Sequence, residues 1–333
     1  MAQTREPTVD RAVSLSIQGD IGIATLHRAA GWIASQVLAH TGPRTKISIW
    51  TSAGTLDNIR AVADGTVDVS MAAPAILGRL ALEGRGPFAG AACANLCALG
   101  TLPQLDRLLV GIRADLGIRT FADIVDAQPA LRIATPSEDS SDFVGWAARQ
   151  LLAAAGLSVE RLDSWGGQFI DFDEYPPHSF ERNYPGKFPE LVHRGEADVV
   201  IHEAIMLPQW QQAAAQPGLV FLPVDGEVAE TFQREYSWPT TELPSGYFDQ
   251  HDAAVPVLDF ADFLVICRRD LPDDLAHLIA WCMGETRMIL EAQYRHIPAR
   301  NSTLTYPLNP AHMAQTAIPL HPGAERYWSS AVG

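Results

Sequence analysis

Apolar Val13, Leu15 and Ile17 alternate with polar neighbours, a period of two that predicts a strand. Leu26, Ala30, Ile33 and Val37 then recur at helical spacing. A second strand is predicted over 46–51. The turn Ser52, Ala53, Gly54, Thr55 leads into a helix carrying Leu56, Ile59 and Ala63, which Gly65 is placed to end. A third strand is predicted over 67–70. Strand, helix, strand, helix, strand in this order implies parallel pairing with right-handed crossovers.

The alternation continues. Strands are predicted over 108–112, 131–135, 159–165, 197–201 and 219–224. A short helix is predicted over 120–125, and a longer one carries Phe143, Ala147 and Leu151. A single apolar strand over 255–267 leads back to the first sheet. A long helix over 275–294 follows, with Leu278, Met283, Ile289 and Leu290 inward. The Pro-rich tail reads as mostly irregular. The fold class is therefore α/β with two lobes: 1–110 and 256–333 form one, 111–255 the other. The stretch 166–189, rich in Gly, Pro, aromatics and acids, has no period and reads as a long inserted loop of a functional kind.

Composition narrows the function. The chain has 333 residues, 47% of them apolar, enough for two cored domains. A formal net charge of −15 repels nucleic acid and anionic membranes, so no nucleic-acid partner is expected. Cys93, Cys97, Cys267 and Cys282 lack zinc-site spacing and read as buried small hydrophobes, which leans toward a reducing compartment. The polar first residues lack the apolar core of a secretion signal. The sequence as it stands is thus expected to be cytoplasmic, and periplasmic if a leader has been trimmed. There is no P-loop, nucleophile elbow or dinucleotide fingerprint, and no cofactor is expected.

Six stretches, in order, carry a family resemblance. They are the strand and glycine turn over 17–25; Ser52 to Ile59 with Gly65 and Asp68; the turn over 135–141; Gly195, Asp198 and Pro208; Leu243, Pro244, Ser245, Gly246 and Tyr247; and His321, Pro322, Gly323 and Ala324. Together they resemble the TAXI group, receptor components of TRAP-type transporters. That resemblance implies the type II periplasmic-binding-protein fold, with a ligand cleft between the lobes. It also implies capture of a small anionic, carboxylate-type molecule and, for an exported receptor, a membrane permease as partner. The first turn departs from the family's pattern, with Asp20, Leu26 and His27 there. The turn in the second lobe holds Glu138, Asp139 and Asp142.

In open parallel sheets, ligands bind past the carboxyl ends of the strands, where helix N-termini offer unpaired amides. The turns over 19–25, 52–58 and 136–141 fit that place. The candidate ligand residues are Gly22, Thr25, Gly54, Thr55, Asn58, Ser137, Ser140, Ser141 and Tyr247. The plainer reading makes Thr55 and Ser140 helix caps and packs Tyr247 beside the hinge. Asp68, Asp198 and His321 read as residues that fix backbone. An alternative is a cytosolic enzyme, a decarboxylase or lyase of small carboxylates. His202 and Glu203, at a strand's carboxyl end, would be its acid and base. With Asp171, Asp173 and His178, His202 would form a divalent-metal set.

Overall fold

The computed structural model describes residues 6–21, 24–171, 176, 179, 184–249 and 251–332. Two units emerge: unit 1 comprises Met1–Leu105 and Ala261–Gly333, unit 2 Asp106–Phe260. The expected divides after 110 and before 256 thus move to 105/106 and 260/261.

Unit 1 carries β1 (Ser14–Gln18), β2 (Lys46–Trp50), β3 (Val69–Ala72), β4 (Leu96–Leu102) and β12 (Phe263–Arg268), in the order β2-β1-β3-β12-β4. The first three strands pair in parallel, joined by helices α1 (Thr25–Ala39) and α2 (Thr55–Ala63). Strand β12 runs antiparallel to both β3 and β4. The sheet is therefore mixed rather than mostly parallel. Gly65, with φ +83°, turns the chain out of α2 as its position predicts. Helix α3 (Ile76–Glu83) follows β3.

In unit 2 the order is β10-β11-β5-β8-β6-β7, with β9 also on β5. These strands are β5 (Arg107–Arg113), β6 (Arg132–Ala134), β7 (Gln168–Ile170), β8 (Val199–His202), β9 (Leu219–Phe221), β10 (Thr240–Leu243) and β11 (Val255–Asp259). Strands β6, β7 and β8 are parallel and the remaining pairings antiparallel. The helices of this unit are α4 (Phe121–Ala127), α5 (Val144–Ala154), α6 (Val159–Ser164), α7 (Lys187–His193), α8 (Pro208–Ala213) and α9 (Gly226–Tyr236).

Several expectations fail for local reasons. The stretch over 159–165 is helix α6, not a strand. Ser158 caps it, accepting from the Arg161 amide at 3.3 Å, and only Leu162 is buried. The run over 255–267 is two strands, because Asp262 takes φ +67° and breaks the extended backbone. The loop over 166–189 contains β7 and the start of α7. The long helix over 275–294 is α10 (Asp273–Glu285) and α11 (Arg287–Ala292), interrupted at Thr286. The Thr286 hydroxyl donates back to the Cys282 carbonyl at 2.6 Å and accepts from the Trp32 indole at 3.0 Å. Beyond that break Ile289 is turned outward, 49% exposed. The tail carries α12 (Pro310–Met313) and α13 (Pro322–Ala331).

Helix α13 completes the core of unit 1. Trp328 and Tyr327 are buried in it, and the Trp328 indole donates to the Leu99 carbonyl at 2.8 Å. His321 caps α13 through Nδ1, accepting from Gly323 N, while Nε2 donates to the Arg269 carbonyl. Both ring nitrogens are thus engaged in holding backbone. All four cysteines are free. Cys97 and Cys267 face each other across β4 and β12, and burial pushes the Cys282 thiol up to about 12.

Candidate functional site

The amino ends of the parallel strands are closed by two aspartates. In unit 1, Asp68 accepts from Ser16 N at 2.7 Å and Ser16 Oγ at 2.8 Å, tying the approach to β3 onto β1. In unit 2, Asp198 accepts from Arg132 N at 3.0 Å and from Arg132 Nη2 at 2.7 Å, tying the approach to β8 onto β6. Each lies three residues after a positive-φ glycine, Gly65 or Gly195. These are backbone clasps, as the sequence indicates, and they leave the carboxyl ends open for chemistry.

In unit 1 the carboxyl ends of β1 and β2 lie side by side, Gln18 paired with Trp50. Gly19 N donates to the Trp50 carbonyl at 3.0 Å, and Ser52 Oγ to the Gly19 carbonyl at 2.9 Å. Asn58 is fully buried: its Oδ1 accepts from Gln18 Nε2 at 3.0 Å and its Nδ2 donates to the Met71 carbonyl at 2.9 Å. Thr55 Oγ1 accepts from Ala73 N at 2.9 Å. Both side chains therefore fasten α2 to the sheet. Thr25, in the first turn of α1, meets the Thr303 hydroxyl at 2.6 Å. Gly22 lies outside the described residues.

The N-termini of α1 and α2 differ. Asp20 Oδ1 accepts from His27 N at 3.0 Å, so a carboxylate of the chain itself sits at the start of α1. Burial pushes the Asp20 carboxyl up to about 6, against the lowering effect of the His27, Asp20 and Leu26 amides. At α2 the N-cap is Gly54 in extended backbone, and no side chain caps the helix. Asp20 as a cap is not among the residues that the sequence pattern marks. Its spacing from the first helical turn is the signal that could have done so.

In unit 2 the turn over 136–143 is held by its own groups. Ser140 N donates to the Ser137 carbonyl at 3.1 Å, and Phe143 N to the Ser140 carbonyl at 3.2 Å. Asp142 Oδ1 accepts from Val144 N at 3.0 Å and occupies the N-terminus of α5. A Cβ on Gly145 would stand 1.9 Å from the Ser137 carbonyl oxygen, so only glycine lets α5 sit under this turn. Ser140 Oγ faces Asp142 N at 3.4 Å, and Ser141 is half-buried. Tyr247 is half-buried and packs edge-on against Phe248, on the core of unit 2.

His202 ends β8 and Glu203 is the first residue beyond it, with its Oε1 3.7 Å from His202 Nδ1. His202 is 2% exposed and stacks on Phe188 at 5.0 Å. Its Nδ1 accepts from Glu203 N at 2.9 Å. Burial drives its pKa down to about 3, so the ring is neutral at physiological pH. Glu203 bonds instead to Asp106, a buried residue at the entrance to β5. Asp106 Oδ2 accepts from Ala204 N at 3.0 Å, and its Oδ1 from Arg107 N at 2.7 Å and Ile205 N at 3.3 Å. Nothing in the sequence singles out Asp106, since its partner is almost a hundred positions away.

Among the described residues, no group of three His, Cys, Asp or Glu could hold an ion. Asp171 interacts electrostatically with Arg149, whose guanidinium lies 3.6 Å over the Phe169 ring. Asp173 and His178 lie outside the described residues. Among the described residues, no helix is long and apolar enough to cross a membrane.

The NMT1-like family matches residues 29–330, nearly the whole chain. The chain belongs to the NMT1-like family. Among solved structures, this NMT1-like chain is similar to XAC2383 from Xanthomonas citri bound to ATP. The identity is 12% and the TM-score 0.51, over 97% of this chain and 100% of that one. It is also similar to the periplasmic aliphatic sulphonate binding protein SsuA from Escherichia coli, at 15% identity and TM-score 0.42, over 96% and 98% of the two chains. A third likeness is to the periplasmic nitrate-binding protein NrtA from Synechocystis PCC 6803, at 12% identity and TM-score 0.43, over 89% and 70%. No curated protein matches the chain. At these identities the likeness is one of α/β fold, with helices flanking two mixed sheets.

Proposed function

We propose that this NMT1-like chain is a solute-binding protein for a small molecule carrying one anionic group, a carboxylate in the simplest case. The observation that carries the reading is the open N-terminus of α2. Of the three turns expected to hold an anion, those before α1 and α5 hold Asp20 and Asp142 of the chain itself. Of these three, α2 begins with no side chain on its N-terminal amides, at the carboxyl end of parallel strand β2, beside Ser52 and the half-exposed Trp50 ring. Unpaired amides and the helix dipole favour an anion there. The six TAXI-like stretches support the further reading of a receptor that passes its solute to a membrane permease.

The test fills the site from within. Gly54 is in extended backbone that any residue adopts, so Gly54→Asp supplies a carboxylate N-cap. The variant should fold and gain roughly a few tenths of a kcal/mol of stability. A panel of small carboxylates and sulfonates, read by thermal shift, should stabilise the wild type saturably. Binding to Gly54→Asp should be at least about tenfold weaker, a loss of ~1.4 kcal/mol. Unchanged affinity in the folded variant would show that the anion is not held at α2.

A further inference from the structure

Glu203 and Asp106 touch through their carboxyl groups in unit 2. Two ionised carboxylates are both acceptors and cannot hydrogen-bond, so this contact requires one proton. The backbone decides which residue carries it. Both Asp106 oxygens already accept amide protons, from Arg107 and Ile205 on one and from Ala204 on the other. Three amide donors favour a charged acceptor at Asp106. The proton therefore belongs to Glu203. Around Glu203, His202 is neutral and Asp142 adds a like charge, while Arg107 Nε donates to the Glu242 carbonyl at 2.6 Å. The backbone on either side is pinned. Glu203 N donates to His202, and the Glu203 carbonyl accepts from the Trp210 indole at 2.9 Å.

We propose that Glu203 is a carboxylic acid in the native protein, donating its proton to Asp106, and that its second oxygen is an uncharged acceptor for a hydroxyl or amide N–H of the solute. The side chain stands just past the carboxyl end of β8 and keeps 26% exposure, so it remains within reach of a ligand. A neutral acid there leaves an anionic solute unrepelled, which a second carboxylate would not. The recognition half of this inference rests on the solute-binding reading; the protonation half does not.

The acid state is read directly by infrared difference spectroscopy of the ligand-free full chain. At neutral pH the wild type should show a protonated-carboxyl band that is absent from Glu203→Gln. Burial and the Asp106 charge raise the Glu203 pKa, so the native state holds a proton that the unfolded chain has lost. Wild-type stability should therefore fall as pH rises above the ordinary glutamate range, and Glu203→Gln should flatten that fall. Glutamine also reproduces the arrangement: its N–H2 donates to Asp106 and its oxygen still accepts. With the carboxylate and sulfonate panel, Glu203→Gln should keep affinity within about threefold, while Glu203→Ala should lose at least about tenfold. A missing carboxyl band overturns the protonation. A present band with full affinity in Glu203→Ala, or tenfold loss in Glu203→Gln, overturns the recognition. If no panel member binds the wild type, the solute-binding reading and its recognition half fail together, and the band still decides the protonation.

Discussion

His202 shows how burial removes a residue from acid–base work. Its ring is packed on Phe188, and Nδ1 is committed to the Glu203 amide. An unfolded histidine takes up a proton near its ordinary value of 6.5, whereas the folded one resists until about 3. Below 6.5 the unfolded chain binds more protons, so native stability should drain away as pH falls through this window. Urea unfolding between pH 7 and 4 checks this. His202→Leu should flatten the slope, yet lose about 1–3 kcal/mol at neutral pH by stranding the Glu203 amide. An unchanged slope would mean that the imidazole titrates freely in the native state. With Nδ1 accepting from the Glu203 amide, the one ring proton of the neutral imidazole sits on Nε2.

At the scale of elements, two Gly-x-x-Asp stretches perform one job in two sheets. Asp198→Ala removes a carboxylate that bridges Arg132 to the strand beside it, and should destabilise unit 2 by about 2–3 kcal/mol. Chemical denaturation followed by tryptophan fluorescence measures it. A change below ~0.5 kcal/mol would reduce the clasp to an ordinary surface pair. Such local devices were legible in the sequence. So were the strands with strict alternation, such as β1, and helices with a clear apolar stripe, such as α1. What stayed hidden depended on single backbone angles or on distant partners. The positive φ of Asp262 splits an apolar run whose hydropathy is continuous. Thr286 ends α10 through a bond from Trp32, some 250 residues earlier. Helix α6 reads as a strand because six residues with one buried leucine leave periodicity little to work with. Of the site, the glycine-led turn before α2 was legible. The self-capping by Asp20 and Asp142 was not, because a carboxylate on a loop has no period. Nor was the Asp106–Glu203 contact, which needs β5 and β8 to be aligned first.

For the whole molecule, the two units differ in how their chain is laid down. Unit 2 is one continuous segment with its own core around Trp210, Phe221 and Phe248. Expressed alone over 106–260, it should give a native-like circular dichroism spectrum and a cooperative thermal transition. A fragment that stays unstructured would show that its core depends on unit 1.

Unit 1 is built otherwise. Strand β12 sits between β3 and β4, so these two cannot join one sheet until residues 263–268 have left the ribosome. The Leu99 carbonyl waits longer still, for an indole on α13. During synthesis, then, the part made first is finished last: β4 stays an unpaired apolar strand throughout the time needed to make all of unit 2. The cell must shield that strand for this interval. A nascent chain arrested after residue 260 is the form of this protein most exposed to aggregation or to a chaperone's grip.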